Sequence, residues 1–122
     1  MPGSLVVHCS SSVFQSAFQE FLRDELKLRD YALLATPGGA QCFTLAEYLP
    51  KFSWAAWRWT KFLVDVDLPC EVVLLGHENC RWYRDLRFAG LQAPPDLRQL
   101  ADLRMAAAAC AQRFPECKVS AY

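Results

Sequence analysis

The chain has 122 residues and a mass of 13.9 kDa, which is the size of one folding unit, so residues 1–122 are interpreted as a single domain. Its apolar fraction of 53% and charged fraction of 21% are typical of a globular protein and exclude a disordered or fibrous one. Thirteen basic residues balance thirteen acidic ones, which argues against a nucleic acid or an anionic membrane as partner. No apolar run approaches the roughly 20 residues that a membrane span needs.

The first ten residues carry neither the basic nor the apolar region of a secretory signal, which predicts a cytoplasmic protein. Its six cysteines would then lie in a reducing compartment, where metal binding or simple burial is expected in preference to disulfides.

The hydrophobic pattern predicts strands alternating with helices. Ser11 or Ser12 is expected to cap the first helix, whose apolar residues recur at three- and four-residue steps until Asp30. Pro50 should interrupt or restart the second helical stretch. The expected strands are 5–9, 31–35, 71–75 and 118–122; the expected helices are 11–30, 44–68 and 96–113, with a loop over 81–95. This order predicts an α/β fold with a central parallel sheet of about four strands flanked by helices.

The second helical stretch is dense in aromatic residues. It contains Trp54, Trp57 and Trp59 together with Phe52 and Phe62. Two interpretations stay open: packing against the sheet, which the pattern favours, or an exposed patch that joins two subunits, since Trp often anchors interfaces.

Chemically versatile residues follow the predicted strands. Cys9 ends the first strand, and His77 and Cys80 come directly after the third. Because the carboxyl ends of parallel strands meet at one edge of the sheet, these side chains can converge. Two thiolates and one imidazole suit Zn²⁺, and three protein ligands leave a fourth position for water, as in catalytic zinc sites.

Two of these segments resemble the signatures of the β-class carbonic anhydrases. The stretch Leu-Val-Val-His-Cys-Ser-Ser-Ser over 5–12 is similar to the strand that ends in Cys-x-Asp-x-Arg in that family. The stretch Val-Val-Leu-Leu-Gly-His-Glu-Asn-Cys over 72–80 is similar to the family's strand followed by Gly-His-x-x-Cys. The segment 33–39 is loosely similar to a third strand end, so the resemblance spans most of the chain.

The resemblance implies a Zn²⁺ ion on Cys9, His77 and Cys80, the hydration of carbon dioxide to bicarbonate, and a homo-oligomer, perhaps a dimer. Two residues depart from the family. Ser11 stands where the family has its aspartate, as a weaker catalytic candidate, and Val13 stands where it has its arginine. Positioned acid–base groups are commonly worth about 10²–10⁴ in rate, so reduced or lost activity is expected.

Three hypotheses for function follow from these residues. The first is a zinc hydratase of weakened activity acting on carbon dioxide. The second is a non-catalytic relative whose scaffold serves protein–protein interaction. The third is a redox-sensitive pair in which Cys9 and Cys80 form a disulfide after the metal is lost. Strand alternation places His8 on the face opposite Cys9. A bulge at the strand end would instead bring His8 back to the site as a proton shuttle or an extra ligand. Arg81 and Trp82 are candidates to narrow the pocket, and the other four cysteines have no ligand-like spacing.

Overall fold

A computed structural model describes residues 3–44, 50–67, 71–84 and 95–122. Within these ranges the chain forms one parallel sheet with helices on both faces, as the alternating pattern predicts. The strands are β1 (Ser4–Cys9), β2 (Tyr31–Thr36), β3 (Glu71–Leu74) and β4 (Lys118–Ala121); the α-helices are α1 (Gln15–Glu20), α2 (Pro50–Asp67), α3 (Arg81–Arg84) and α4 (Pro95–Arg113). A π-helical turn (Phe21–Glu25) continues α1, and a 3₁₀ helix (Gly39–Phe43) follows β2.

The strand order is β2-β1-β3-β4, and all neighbours run parallel. The chain thus moves to one side of β1 to add β2 and to the other side to add β3. In open α/β sheets, such a reversal of direction leaves a crevice between the two central strands at their carboxyl ends. The topology therefore identifies the ends of β1 and β3 as the place to look for a site.

Each face of the sheet buries a separate apolar cluster. Alternate residues of β1, such as Leu5 and Val7, pack with β3, the 3₁₀ helix, α2 and α4. Val6, on the other face, packs with Phe18 and Leu22 from α1 and its π-helical continuation. All six residues of β1 are buried, which explains why its sequence does not alternate between apolar and polar residues.

The first helix differs from the prediction at both ends. It begins at Gln15, with Phe14 at the capping position and no side-chain cap, so neither Ser11 nor Ser12 caps it. The helical turns end at Glu25, well before Asp30, because Lys27 adopts a left-handed conformation with φ of 58°. A left-handed residue stops the helical hydrogen-bond ladder.

The other elements lie close to their predicted positions. Pro50 begins α2 and Pro95 begins α4, the helical position at which the missing amide of proline costs nothing. Residues 81–84, expected in a loop, instead form the single turn of α3. The predicted edge strand is present as β4, whereas the predictions over 45–49, 68–70 and 85–94 fall outside the described residues.

Candidate metal centre

Three potential ligands meet at the carboxyl ends of the central strands. Cys9 is the last residue of β1, and His77 and Cys80 lie in the loop after β3. The two sulfurs and a ring nitrogen of His77 all lie within 4.8 Å of one another, so the group could hold a metal ion. The sequence thus predicted a convergence that the parallel pairing of β1 with β3 produces.

The Cys9 sulfur is surrounded by hydrogen-bond donors. It lies 3.9 Å from the Cys80 sulfur, and the main-chain amides of Ser11 and Gly38 also point to it. The pKa of the Cys9 thiol is lowered, chiefly by the hydrogen bond with Cys80, against the opposing effect of burial. A thiolate is therefore favoured at Cys9, and a thiolate is the form that binds metal.

Cys80 is the less acidic member of the pair. Its hydrogen bond to Cys9 and its burial raise the pKa of its thiol, while the amides of Tyr83 and Trp82 in the first turn of α3 oppose that rise. Only one of the two thiols is readily ionised while the sulfurs share a proton. A bound cation removes that conflict because it neutralises both thiolates.

The imidazole of His77 leaves one nitrogen available. Its Nδ1 donates to the main-chain oxygen of Glu78 at 2.8 Å, which fixes the tautomer and makes Nε2 the acceptor. Nε2 is buried, and the His77 side chain interacts with the Cys9 thiol, whose pKa it helps to lower. The ring packs against Phe14 with centroids 4.1 Å apart. A metal ion bound by this nitrogen and the two sulfurs would satisfy all three atoms.

Gln99, from α4, holds the main chain of His77 at both polar atoms. Its Nε2 donates to the His77 oxygen at 2.6 Å, and the His77 amide donates to its Oε1 at 3.0 Å. Gln99 is 8% exposed, so water competes little for these bonds. A sequence separation of 22 residues gives no local pattern, which is why sequence analysis missed this residue.

Two glycines let the β2 loop approach the site closely. Gly38 and Gly39 both have positive φ values, 77° and 63°. A side chain at Gly38 would overlap the indole of Trp82, and one at Gly39 would lie 3.0 Å from the Cys9 amide nitrogen. Glycine is required here because only it tolerates both the conformation and the contact.

His8 lies on the same side of the sheet as the site, contrary to the alternation argument. Its ring stacks on Phe18 at 4.3 Å, and the edge of His77 meets that same phenylalanine ring at 5.7 Å. Its Nδ1 donates to the Cys9 main-chain oxygen. The alternation argument fails because Cys9, at the strand end, packs with the Val6 and Phe18 cluster instead of the Val7 side. Burial lowers the pKa of His8, so a neutral ring is favoured.

Ser11 and Val13, where this chain departs from the carbonic anhydrase signature, place no charged side chain beside the site. Ser11 takes part through its main chain: its amide points to the Cys9 sulfur, and its oxygen accepts from the Gln15 side chain at 2.7 Å. The side chain of Val13 is 69% exposed. Arg81 is exposed as well, whereas Trp82 packs over Gly38.

A second polar cluster adjoins Cys80 through α3. The Tyr83 hydroxyl donates to Asp102 at 2.9 Å, and Gln41 donates to the same carboxylate oxygen at 3.3 Å. Tyr83 is 1% exposed and packs in the same apolar cluster as Cys80. No sequence signal links these residues, because they come from three separate elements.

The remaining described cysteines are ordinary buried thiols. Burial raises the pKa of Cys42 to about 11 and that of Cys110 to about 12, and Cys117 is also buried. Such thiols are poor metal ligands and poor nucleophiles. Cys70 lies outside the described residues.

Comparison with known proteins found no family model, no curated protein and no solved structure that matches this chain. Among the described helices, none combines the length and the apolar character needed to cross a membrane.

Proposed function

We propose that this protein binds Zn²⁺ through Cys9, His77 and Cys80 and hydrates carbon dioxide with weakened activity. The observation that carries the metal assignment is the spacing of the sulfurs. Zinc–sulfur bonds of about 2.3 Å at a tetrahedral angle place two sulfurs about 3.8 Å apart, and Cys9 and Cys80 are separated by 3.9 Å. A disulfide would need about 2.05 Å, so the thiols are spaced for a bridging cation.

The ligand set and its supports agree with zinc. Two thiolates and an imidazole are the soft and borderline donors that zinc prefers. The Glu78 oxygen accepts from the His77 ring, which is the contact that metal-binding histidines usually make through their second nitrogen. Gln99 separately holds the His77 main chain. A cytoplasmic location, which would keep both thiols reduced, is part of the same proposal.

Three protein ligands leave the fourth coordination position of a tetrahedral zinc for a water molecule. Bound zinc is a Lewis acid that lowers the pKa of water to about 7 and so supplies hydroxide at neutral pH. A surface pocket of about 310 Å³ opens beside His77 and includes Gly76 and Gln99 in its lining. Its described lining contains His77 but neither Cys9 nor Cys80.

The departures at Ser11 and Val13 support weakened activity. Ser11 is uncharged and Val13 faces solvent, so neither provides the charged pair that the carbonic anhydrase signature has beside the metal. Loss of a positioned acid–base group costs about 10²–10⁴ in rate. The same observation favours the second candidate, a zinc-containing scaffold without turnover that serves protein–protein interaction.

Metal content tests the zinc assignment. We would measure zinc by mass spectrometry in protein purified without added metal, for the native chain and for Cys9→Ala, His77→Gln and Cys110→Ala. About one zinc per chain is expected in the native protein and in Cys110→Ala, a buried cysteine away from the site. Native protein that stays free of zinc after incubation with the metal would refute the assignment, as would equal zinc in Cys9→Ala.

Stopped-flow hydration of carbon dioxide then separates the two candidates. A weak rate above buffer that disappears in Cys80→Ala supports the hydratase. Ser11→Asp, which restores a carboxylate at the signature position, is expected to raise that rate about ten- to a hundredfold, and Ser12→Asp, at an exposed neighbour, is the control. If the zinc-loaded native chain and the three variants all show no rate above buffer, the hydratase is excluded and the non-catalytic scaffold remains.

A further inference from the structure

One face of α2 is apolar and exposed. Phe52, Trp59, Phe62 and Val66 recur at steps of seven, three and four residues, so they share one side of the helix. Their exposed fractions are 54%, 56%, 64% and 61%. These four residues are called the α2 face below. The prediction that the aromatic residues pack on the sheet is wrong for four of them, which are exposed: Phe52, Trp54, Trp59 and Phe62. Trp57 does pack inward, against the buried cluster that contains Phe43 and Phe114.

The α2 face is large for a single chain. Aromatic side chains present about 150–250 Å² each, so the exposed halves of three aromatic residues and a valine amount to roughly 400 Å². The largest apolar patch on a typical monomer is about 300–600 Å² and often functional. Pairing two copies would cover about 800 Å² of apolar surface, and the polar flanks would bring the total above the ~1,000 Å² that a specific interface needs.

The α2 face is self-complementary when two copies of the helix pair in antiparallel directions. Phe52 and Val66 each lie seven residues from Trp59. A two-fold axis at Trp59 therefore places Phe52 of one copy opposite Val66 of the other. It also places Phe62 of the second copy near Ala55 of the first, so a large side chain meets a small one, as close helix packing requires.

A pocket is present where the second copy would insert Phe62. It has a volume of about 210 Å³, and its described lining includes Ala55, Ala56 and Trp59, with Pro37 and Trp82 behind them. An apolar pocket with this lining suits one aromatic ring. Trp82, two residues after Cys80, also lines this pocket, so an inserted ring would pack against it.

Charges beside the α2 face favour the antiparallel direction. Lys51, Arg58 and Asp65 are exposed and lie seven residues apart along one flank of α2. Antiparallel pairing brings Lys51 of each copy to the Asp65 end of the other, because the same flank of both helices then lies side by side. Parallel pairing would place this flank beside the opposite flank of the partner helix, where Lys51 does not meet Asp65. Exposed ion pairs contribute little affinity but select one orientation over the other. Asp65 also pairs with Lys61 within its own helix at 2.6 Å, which leaves it accessible at the flank.

We propose that the α2 face is the interface of a symmetric homodimer, with the two α2 helices antiparallel and Trp59 at the two-fold axis. The dimer needs neither bound metal nor turnover, so its failure and that of the zinc assignment are separate outcomes.

Sedimentation equilibrium of the full chain tests the dimer, in the presence and absence of a chelator. The native protein at about 50 μM is expected to sediment at twice the 13.9 kDa of one chain. Phe62→Lys and Trp59→Lys should each weaken association at least tenfold. Trp54→Lys is the matched control, because Trp54 is 70% exposed on the same helix but lies off the α2 face. Circular dichroism checks that each variant keeps its helices.

A charge exchange tests the orientation. Lys51→Asp should weaken the dimer, and the double variant Lys51→Asp/Asp65→Lys should restore it, since both pairs are then reversed. A native chain that is monomeric at 50 μM overturns the proposal and leaves the α2 face to a different protein. Equal weakening by Trp54→Lys and Trp59→Lys also overturns it, and a double variant no better than the single one overturns the antiparallel arrangement.

Discussion

The side-chain amide of Gln99 joins α4 to the loop that carries His77, and its replacement by methionine is an informative perturbation. Methionine keeps the length of the side chain but removes both hydrogen bonds to the His77 main chain, at 2.6 and 3.0 Å. Because Gln99 is 8% exposed, the His77 amide and carbonyl would be left largely without partners. The loop would then lose the contact that fixes its distance from α4.

The expected cost follows from those two bonds. A typical hydrogen bond contributes about 0.5–1.5 kcal/mol net, and leaving a buried partner unsatisfied costs about 1–3 kcal/mol. Allowing for some relaxation of the loop, Gln99→Met should lower the free energy of unfolding by about 2–4 kcal/mol. For a domain of this size, that corresponds to a fall in Tm of roughly 5–15 °C. Loss of such a support also typically weakens metal affinity about 10- to 100-fold.

Two assays separate these effects. Urea unfolding in the presence of a chelator, followed by tryptophan fluorescence, measures the stability of the metal-free protein. Competition with a chromophoric zinc chelator measures the affinity. Gln41→Met is the control: Gln41 is also buried, but among the described residues its side chain makes a single hydrogen bond, to Asp102, away from His77. A Gln99→Met protein whose stability matches that of the native chain within about 0.5 kcal/mol would show that the two contacts do not hold the loop.

Three further predictions concern other parts of the site. Gly38→Ala should destabilise the fold by more than about 2 kcal/mol, because the new methyl group would overlap Trp82 at a positive φ; native-like urea unfolding would contradict this. Burial raises the pKa of Asp102 above its ordinary 3.8, so its contribution to stability is present at lower pH and is lost as pH rises through the raised pKa. Asp102→Asn should therefore gain stability relative to the native protein between pH 4 and pH 7 in urea unfolding, and a difference that does not vary with pH would sink this reasoning. Peroxide should convert Cys9 and Cys80 of metal-free protein to a disulfide, with peroxide reduced to water, so that the number of free thiols falls by two; bound zinc should prevent this. Thiol titration measures the loss, and an unchanged number of free thiols would contradict the prediction.

Much of the architecture was readable from local patterns. The segments Leu5–Val7 and Val72–Leu74 lie in strands because their apolar side chains suit positions that are buried on both faces of a sheet. Pro50 was recognised as a boundary since its ring and missing amide allow it only in the first turn of α2. The start of the first helix was misplaced because serines are good caps in general, whereas here the Gln15 side chain takes the main-chain oxygens of Cys9 and Ser11.

In the candidate site, too, the sequence determined some features and the tertiary structure decided the others. The sequence determined that Cys9, His77 and Cys80 follow strands, and a parallel sheet brings strand ends to one edge. Only the tertiary structure decided that β1 and β3 are neighbours, that the sulfurs lie 3.9 Å apart, and that Gln99 holds His77. Helical periodicity likewise showed which residues of α2 share a face, but it could not show that this face stays uncovered. Helical periodicity depends only on residues that are close together in the sequence. Contacts between segments far apart in the chain decide the strand order, the support from distant side chains and the coverage of a surface.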